Sequence, residues 1–307
     1  MLFDSVSQQN KIETQDRVAI RLKTLIALAQ IASNLNLRQS KINAQEGGAY
    51  VSRLKGRGME FDEARLYQPG DDIRSIDWKV TARSGKTHTK LFREEREKPV
   101  FISVDYRLNM HFATRGVFKS VLAAKLAGLL AWGAQYQGDR IGGQIFSDFE
   151  CTELKPQNGK HAVLRFLNAL VKAQASTGSP ISFEHVLARL VQHTRPGSQI
   201  YIISDFRGIN PKAELFLARI AQHCQVNLLM VYDPLEQALP TQGRYRFTDT
   251  MRDVVVDAAD QKKLSDYHQR FVKHQQTVQT LAKKLGLGFI ECSTIDDPLM
   301  CLQFRYR

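Results

Sequence analysis

The chain has 307 residues, 43% of them apolar and 24% charged, which excludes wholesale disorder and permits a substantial core without disulfides or structural metal. Forty-three Lys and Arg against thirty-one Asp and Glu give a formal charge of +12. That balance raises the question of an acidic partner without naming one.

The expected organisation has three parts: an N-terminal helical segment over 1–40, a charged brace segment over 41–98, and an α/β domain over 99–307. In the first part, RVAIRLKTLIALAQIASN (17–34) places apolar residues at 19, 22, 26 and 29. That is helical spacing with a wide apolar face, so this helix is expected to dock on the rest. Asp4, Arg21 and Lys23 interrupt the pattern of a secretory leader. Further on, Lys119 and Lys125 interrupt the apolar stretch from Val117 to Ala134, which falls short of the roughly 20 residues of a membrane span. The expected address is the cytoplasm. There, Cys151, Cys224, Cys292 and Cys301, which show no CxxC spacing, would stay reduced.

From Arg53 to Lys98 the character changes, with 12 basic and 9 acidic residues in 46 positions. Interleaved signs argue for internal ion pairs or a polar recognition surface, and against a nucleic-acid patch, which needs one dominant sign. The most informative stretch is GRGMEFDEARLYQPGDDIRSIDWKVTAR, residues 56–83. Pro69-Gly70 suits the centre of a type II turn after Tyr67, and Asp72 suits the cap of a short helix with Ile73, Ile76 and Val80 on one face. Trp78 is expected to anchor that helix. Arg65, Arg74 and Arg83 alternate with Asp71, Asp72 and Asp77, so bidentate pairs bracing the segment against the core are one reading. A docking surface is the other.

After Pro99, short β-rich runs alternate with amphipathic helices. VFISVD (100–105), a helix over 115–136, RIGGQIFSD and CTELKP around a turn, and helices over 159–174 and 183–193 come first. QIYIISDF (199–206), a helix over 211–223 and NLLMVYD (227–233) follow. Near-continuous apolar strands belong to a mostly parallel sheet covered on both faces, a doubly wound α/β domain. The hairpin GRYRFTD/DVVVDA then precedes a long helix with apolar residues at 264, 267, 271, 278, 281 and 285. Gly286 ends that helix ahead of a last strand, LGFIECS.

The run from Gly56 to Arg83, with RLYQPGDDIRSIDW at its centre, resembles the domain-of-unknown-function 58 family when taken with VFISVD and IYIISDF. That family carries a von Willebrand factor A-like domain. The resemblance spans about residues 45–300 and implies a sheet ordered 3-2-1-4-5-6 and an association with MoxR-type AAA+ ATPases. In many members it also implies a membrane-anchoring pair of N-terminal helices, which is not expected here. In such a sheet, Asp105 and Asp205 end the neighbouring first and fourth strands, at the crevice where ligands usually sit.

In von Willebrand A domains that crevice holds Mg²⁺ on an Asp-x-Ser-x-Ser run, a threonine and a second Asp. Here the run reads Asp105-Tyr106-Arg107-Leu108-Asn109, and Ile181 aligns with the threonine, with Thr177, Ser179 and Ser182 as nearby alternatives. Asp105, Asn109 and Asp205 are therefore a degenerate metal site. Arg107 and Arg207, each two residues after an aspartate, are positioned to replace the cation. No cofactor is expected, with Mg²⁺ the one the resemblance would otherwise allow.

Searches for other chemistry are negative. KPQNGKH lacks the first glycine of a P-loop, GDRIGG lacks GxGxxG spacing, and neither HExxH nor GxSxG occurs. The helix over 261–284 carries six basic residues and one acidic, which a solvated face explains as well as a nucleic-acid contact does. The expectation is a non-enzymatic interaction adaptor or co-chaperone for a MoxR-type AAA+ ATPase. Two alternatives stay open: a metal-dependent enzyme or ligand binder using the strand-end aspartates, and a basic nucleic-acid-binding module.

Overall fold

The computed structural model describes residues 16–35, 59–94, 98–173, 180–240, 243–248, 253–257 and 260–303. Expectations for Gly56 and for Thr177 and Ser179 lie outside these residues. Two compact units divide the chain, one over 41–97 and the other over 1–40 with 98–307.

In the smaller unit, β1 (Met59–Leu66) and β2 (His88–Glu94) pair antiparallel. The chain leaves β1 through Pro69-Gly70, where Gly70 takes φ 105° and the Asp71 amide donates to the Gln68 carbonyl. This is the positive φ that a type II turn requires of its third residue. Asp72 caps a single 3₁₀ turn over Ile73–Ser75. Asp77 then caps a short helix over Trp78–Ser84 by accepting from the amides of Lys79 and Val80. Arg65 reaches Asp71 at 2.7 Å, whereas Arg74 and Arg83 are exposed and have no ion pair with another described residue.

Three expectations need correcting here. Trp78 does not anchor its helix, being 68% exposed, and Ile73 is 67% exposed. Of the expected face only Ile76 and Val80 are half-buried, because Ile73 belongs to a separate 3₁₀ turn and Trp78, the first residue of the short helix, lies outside its inward face. Arg74 is exposed and, among the described residues, pairs with no carboxylate, so the expected bidentate pair with an alternating aspartate is not formed there.

In the larger unit, helix α1 (Leu22–Ala32) comes first. Its buried positions are Leu25 and Ala32, with Leu22, Leu28 and Ala29 packed beside them, while Ala19 and Ile26 are exposed. The expected 19/22/26/29 stripe is shifted because the continuous helix begins only at Leu22, after a break at residues 19–21.

Six strands form the central sheet: β3 (Pro99–Asp105), β4 (Arg140–Phe146), β5 (Cys151–Gln157), β6 (Gln199–Ser204), β7 (Gln225–Tyr232) and β10 (Gly288–Ser293). Their order is β10-β7-β6-β3-β4-β5, parallel throughout except for β5. Counted within the sheet this is 3-2-1-4-5-6, as the resemblance implied. Strands β8 (Arg244–Thr248) and β9 (Asp253–Asp257) form a separate hairpin.

Alternate residues of β3 serve two cores, as the period of a strand demands. Val100, Ile102 and Val104 face one, and Phe101 faces the other. The first core is closed by α1, by α3 (Lys119–Tyr136), by α4 (Lys160–Lys172) and by α9 (Pro298–Gln303). Here α2 denotes Trp78–Ser84 of the smaller unit. The second is closed by α5 (Phe183–His193), α6 (Pro211–Ala221) and α8 (Gln261–Leu285), with α7 the single turn over Pro234–Gln237. Helix α3 is buried on nearly every side, which explains why its sequence is apolar without a polar stripe. At Gly128 an added Cβ would lie 3.2 Å from Leu25 and Leu28 of α1, so that crossing depends on a missing side chain.

The sheet contains a tighter approach. A Cβ on Gly143 of β4 would stand 2.3 Å from the Ile102 carbonyl oxygen and 2.7 Å from the Phe166 ring. Gly143→Ala is therefore expected to destabilise by about 1–3 kcal/mol through overpacking. Gly138→Ala, at φ 76° with open space around it, should cost about 1–2 kcal/mol through backbone strain alone. Urea unfolding of the two variants checks this, and partial relief of the first by Phe166→Leu would separate packing from backbone conformation.

Candidate functional site at the carboxyl edge of the sheet

Strands β3 and β6 are neighbours whose following loops diverge, so their carboxyl ends frame a crevice. Asp105 is the last residue of β3 and Asp205 follows the last residue of β6; both are buried. Arg107 joins them. Its Nη2 donates to Asp105 Oδ2 at 2.6 Å and lies 3.6 Å from Asp205 Oδ1, while its Nε and backbone N–H also bind Asp105. Nη1 donates to the Arg207 carbonyl at 2.9 Å, and the guanidinium lies over the rings of Phe146 and Phe183. The same side chain is thus fixed by ion pairs, a main-chain acceptor and two aromatic faces.

A second cation enters from below. Lys119, the first residue of α3 and fully buried, places Nζ 3.3 Å from Asp205 Oδ2 and 2.8 Å from Glu236 Oε1. Arg207 lies above, with Nη2 2.9 Å from Glu236 Oε1 and Nε 3.6 Å from Asp205 Oδ2. Three carboxylates therefore meet three cations. Ser204 completes the cluster by donating its hydroxyl to Asp105 Oδ2 at 2.6 Å and accepting from the Phe206 amide at 2.8 Å. Phe206 is the one described non-glycine residue at positive φ, 56°, and is fully buried. That turn sets Asp205 and Arg207 on either side of the chain, a strained conformation of the kind found where side chains must be aimed.

Burial pushes the Asp105 carboxyl up, and Arg107 and Ser204 pull back without cancelling it. Burial also opposes ionisation of Asp205, but Lys119, Arg107 and Arg207 outweigh it and hold that carboxyl below its ordinary value.

The residues do not fit Mg²⁺. An octahedral oxygen site needs carboxylate lone pairs facing an open centre, and both oxygens of Asp105 are already occupied by Arg107 and Ser204. Asn109 is exposed on a 3₁₀ turn (Leu108–Met110) and makes no hydrogen bond to either aspartate. Ile181 packs against the second core while its amide donates to the Asp148 carbonyl. The nearby Ser182 is the cap of α5. Among the described residues no group of three or more His, Cys, Asp or Glu is placed to hold a metal.

Lys119, Ser204, Glu236 and the adjoining Asp233 were missed by sequence reasoning. Asp233 is buried, accepts from the hydroxyls of Thr114 and Thr294 and from the Thr114 amide, and forms a capping box with Glu236. The box was legible, because DPLE carries Asp at the cap, Pro at the first helical position and Glu two residues further on. Lys119 also left a signal: a lysine inside an otherwise apolar run marks a buried ion pair as well as the absence of a membrane span.

Two expectations follow. Lys119→Met keeps the length of the side chain and leaves the buried Asp205 and the half-buried Glu236 short of a cation, so denaturant unfolding should show a loss of about 3–5 kcal/mol. Adding Asp205→Asn should restore part of it, because the surplus negative charge is then removed. The second concerns pH. Burial would raise Asp233, but Thr114, Leu235 and Thr294 hold its carboxyl below its ordinary value. A depressed folded value contributes stability that is present above the unfolded value of about 4 and is lost as pH falls through the folded value. Asp233→Asn should therefore lower the melting temperature at pH 7, and its gap to the wild type should narrow below about pH 4.

Comparison with known proteins places these features. An uncharacterized protein of Mycobacterium tuberculosis and one of Mycobacterium bovis are each 27% identical over 276 residues, covering 89% of this chain and 86% of theirs. Among solved structures, the conserved hypothetical protein BatB from Bacteroides thetaiotaomicron aligns at TM-score 0.43 and 16% identity, over 68% of this chain and 95% of its own. A von Willebrand factor type A structure from Catenulispora acidiphila aligns at 0.40 and 11%, over 71% and 42%. Residues 63–277, from the charged segment through most of α8, match the family described as protein of unknown function DUF58, and the chain belongs to that family.

Proposed function

We propose that this protein is a non-enzymatic interaction adaptor, that its partner is a MoxR-type AAA+ ATPase, and that it works in the cytoplasm. What supports an adaptor is the state of the crevice. The carboxylates that could serve a metal or a reacting group are neutralised from within by Arg107, Lys119 and Arg207. Outward at the carboxyl edge, beside the half-exposed Arg207, lie apolar side chains, with Leu108 56%, Phe149 39% and Ile295 58% exposed. Leu108 and the turn carrying Phe149 are tied together, since the Leu108 amide donates to Asp148 at 2.7 Å. Exposed apolar groups around a polar centre are the composition of a protein-docking surface. The ATPase as partner rests on the family resemblance and on the lack of any nucleotide loop in this sequence.

The test is co-elution from native lysate with ATP or with ADP, together with the hydrolysis rate of the captured ATPase in the presence and absence of this protein. Capture should depend on the nucleotide. Leu108→Asp with Phe149→Asp should abolish it without moving the melting temperature. If no ATPase elutes in either state and none responds to the added protein, the adaptor reading fails. Micromolar Mg²⁺ binding by calorimetry would favour the metal-dependent alternative, and steeply salt-dependent affinity for DNA or RNA would favour the nucleic-acid one.

A further inference from the structure

At the end of the sheet opposite the crevice, the amino ends of β3 and β4 and the far end of β5 frame a cavity of about 520 Å³. Arg140 opens β4 there, Lys155 lies in β5, and Arg195 and Ser198 belong to the loop between α5 and β6. Strand β3 runs from Pro99 on this cavity to Asp105 in the crevice, a separation of about 20 Å. The cavity is therefore remote from the ion cluster and from the carboxyl edge where sheets of this type usually hold ligands.

Its polar lining is unpaired. The side chains of Arg140, Lys155 and Arg195 make no ion pair or hydrogen bond with another described residue, although Arg140 is half-buried. Ser198 is 2% exposed, and its hydroxyl has no hydrogen-bond partner among the described residues. A buried hydroxyl that lines a cavity and meets no protein acceptor is a donor available to a ligand. The carboxylate in the lining does not cancel the cations, because Glu153 already accepts from Arg189 at 2.6 Å and lies 2.5 Å from His193, both on α5. The partial negative charge at the carbonyl end of α5 suits a cation such as His193 or Arg195. It leaves Arg140 and Lys155 without a counter-charge. Like charges around a concave wall of low dielectric focus a positive potential into it, and the rest of this wall is apolar, formed by Pro99, Phe101, Leu154 and Pro156.

We propose that this cavity binds a small organic phosphate, with the phosphate held by Arg140, Lys155, Arg195 and the Ser198 hydroxyl and the apolar or planar body laid against Pro99, Phe101, Leu154 and Pro156. Charge and donor count favour phosphate over carboxylate. A phosphate monoester carries a charge of about −1.5 to −2 at neutral pH and three acceptor oxygens, which match three cations and a hydroxyl. A carboxylate brings a single charge and two oxygens. The fork of an arginine also fits phosphate bidentately. The volume lies within the range of about 300–1,000 Å³ typical of small-molecule sites, so an inorganic ion alone would leave most of it unfilled.

The experiment is calorimetric titration of the full-length protein, at low salt in a buffer free of phosphate and sulfate, with phenyl phosphate, AMP, inorganic phosphate and uncharged adenosine. Phenyl phosphate or AMP should bind once per chain with a submillimolar Kd, at least about tenfold tighter than inorganic phosphate, and adenosine should not bind. Arg140→Ala and Arg195→Ala should each weaken the organic phosphate about tenfold, and Ser198→Ala about threefold. Lys262→Ala with Arg270→Ala, two exposed cations of α8, should leave it unchanged. That control separates the cavity from the general attraction of a chain carrying +12. The proposal is overturned if neither organic phosphate binds more tightly than millimolar, if inorganic phosphate binds as tightly, or if the α8 variant loses as much as the cavity variants. Should Arg140→Ala fail to fold, Lys155→Ala with Arg195→Ala, both exposed side chains, decides in its place. No partner protein is present in the titration, so its result is independent of the adaptor reading.

Discussion

Neutralising two buried aspartates at the ends of adjacent strands is the constraint around which the larger unit is arranged. An unpaired carboxylate taken out of water costs several kcal/mol or more, comparable with the whole stability of a domain. Asp105 and Asp205 are both buried on parallel strands that hydrogen-bond to each other, so their repulsion cannot be relieved by moving one of them. Cations must be delivered to them. Arg107 does so from two residues along the same loop, and Lys119 from the first turn of the helix beneath.

The route of that second cation links the site to the core. Helix α3 can be buried on nearly all sides because the sheet covers one flank and α1, α4 and α9 cover the others. Its small residues allow that closeness, as Gly128 under α1 illustrates. A helix so confined cannot rotate or slide, and its first residue is held in one place. The apolar packing of the core and the ion pairs of the crevice therefore depend on each other. Trp132 adds to this by donating its indole N–H to the Leu25 carbonyl at 3.0 Å.

Around the ion cluster, hydrogen bonds to Asp233 and Glu236 gather the loops that leave the sheet. Thr114, after β3, and Thr294, after β10, both donate to Asp233. Glu236 accepts from the Asp233 amide, Lys119 and Arg207 together. One capped turn after β7 therefore ties the ends of four strands. A polar network of this kind is stabilising only when every member is satisfied. Each of these carboxylates meets that condition through charged or hydroxyl donors. The same satisfaction removes the carboxylates from the reach of a hard cation and leaves exposed apolar side chains and the half-exposed Arg207 as the outward chemistry of this edge.

Much of this was legible in the sequence because it depends on local pattern. Apolar runs such as VFISVD and QIYIISDF, separated by helical spacing, are enough to specify a mostly parallel sheet covered on both faces, and Gly286 and the Pro69-Gly70 turn fall where backbone conformation requires them. Arg107 and Arg207 were identifiable because each lies two residues after an aspartate, a spacing within one loop. Tertiary packing decided the rest. Lys119 lies fourteen residues from Asp105 and eighty-six from Asp205, and no periodicity connects them. Glu236 joins the cluster only because β7 lies beside β6. Trp78 and Arg74 read as anchors by residue type, yet Trp78 opens a seven-residue helix with little buried face and Arg74 sits on a single exposed 3₁₀ turn. Short-range backbone rules are written along the chain, whereas the pairing of charges is set by which elements the buried core forces together.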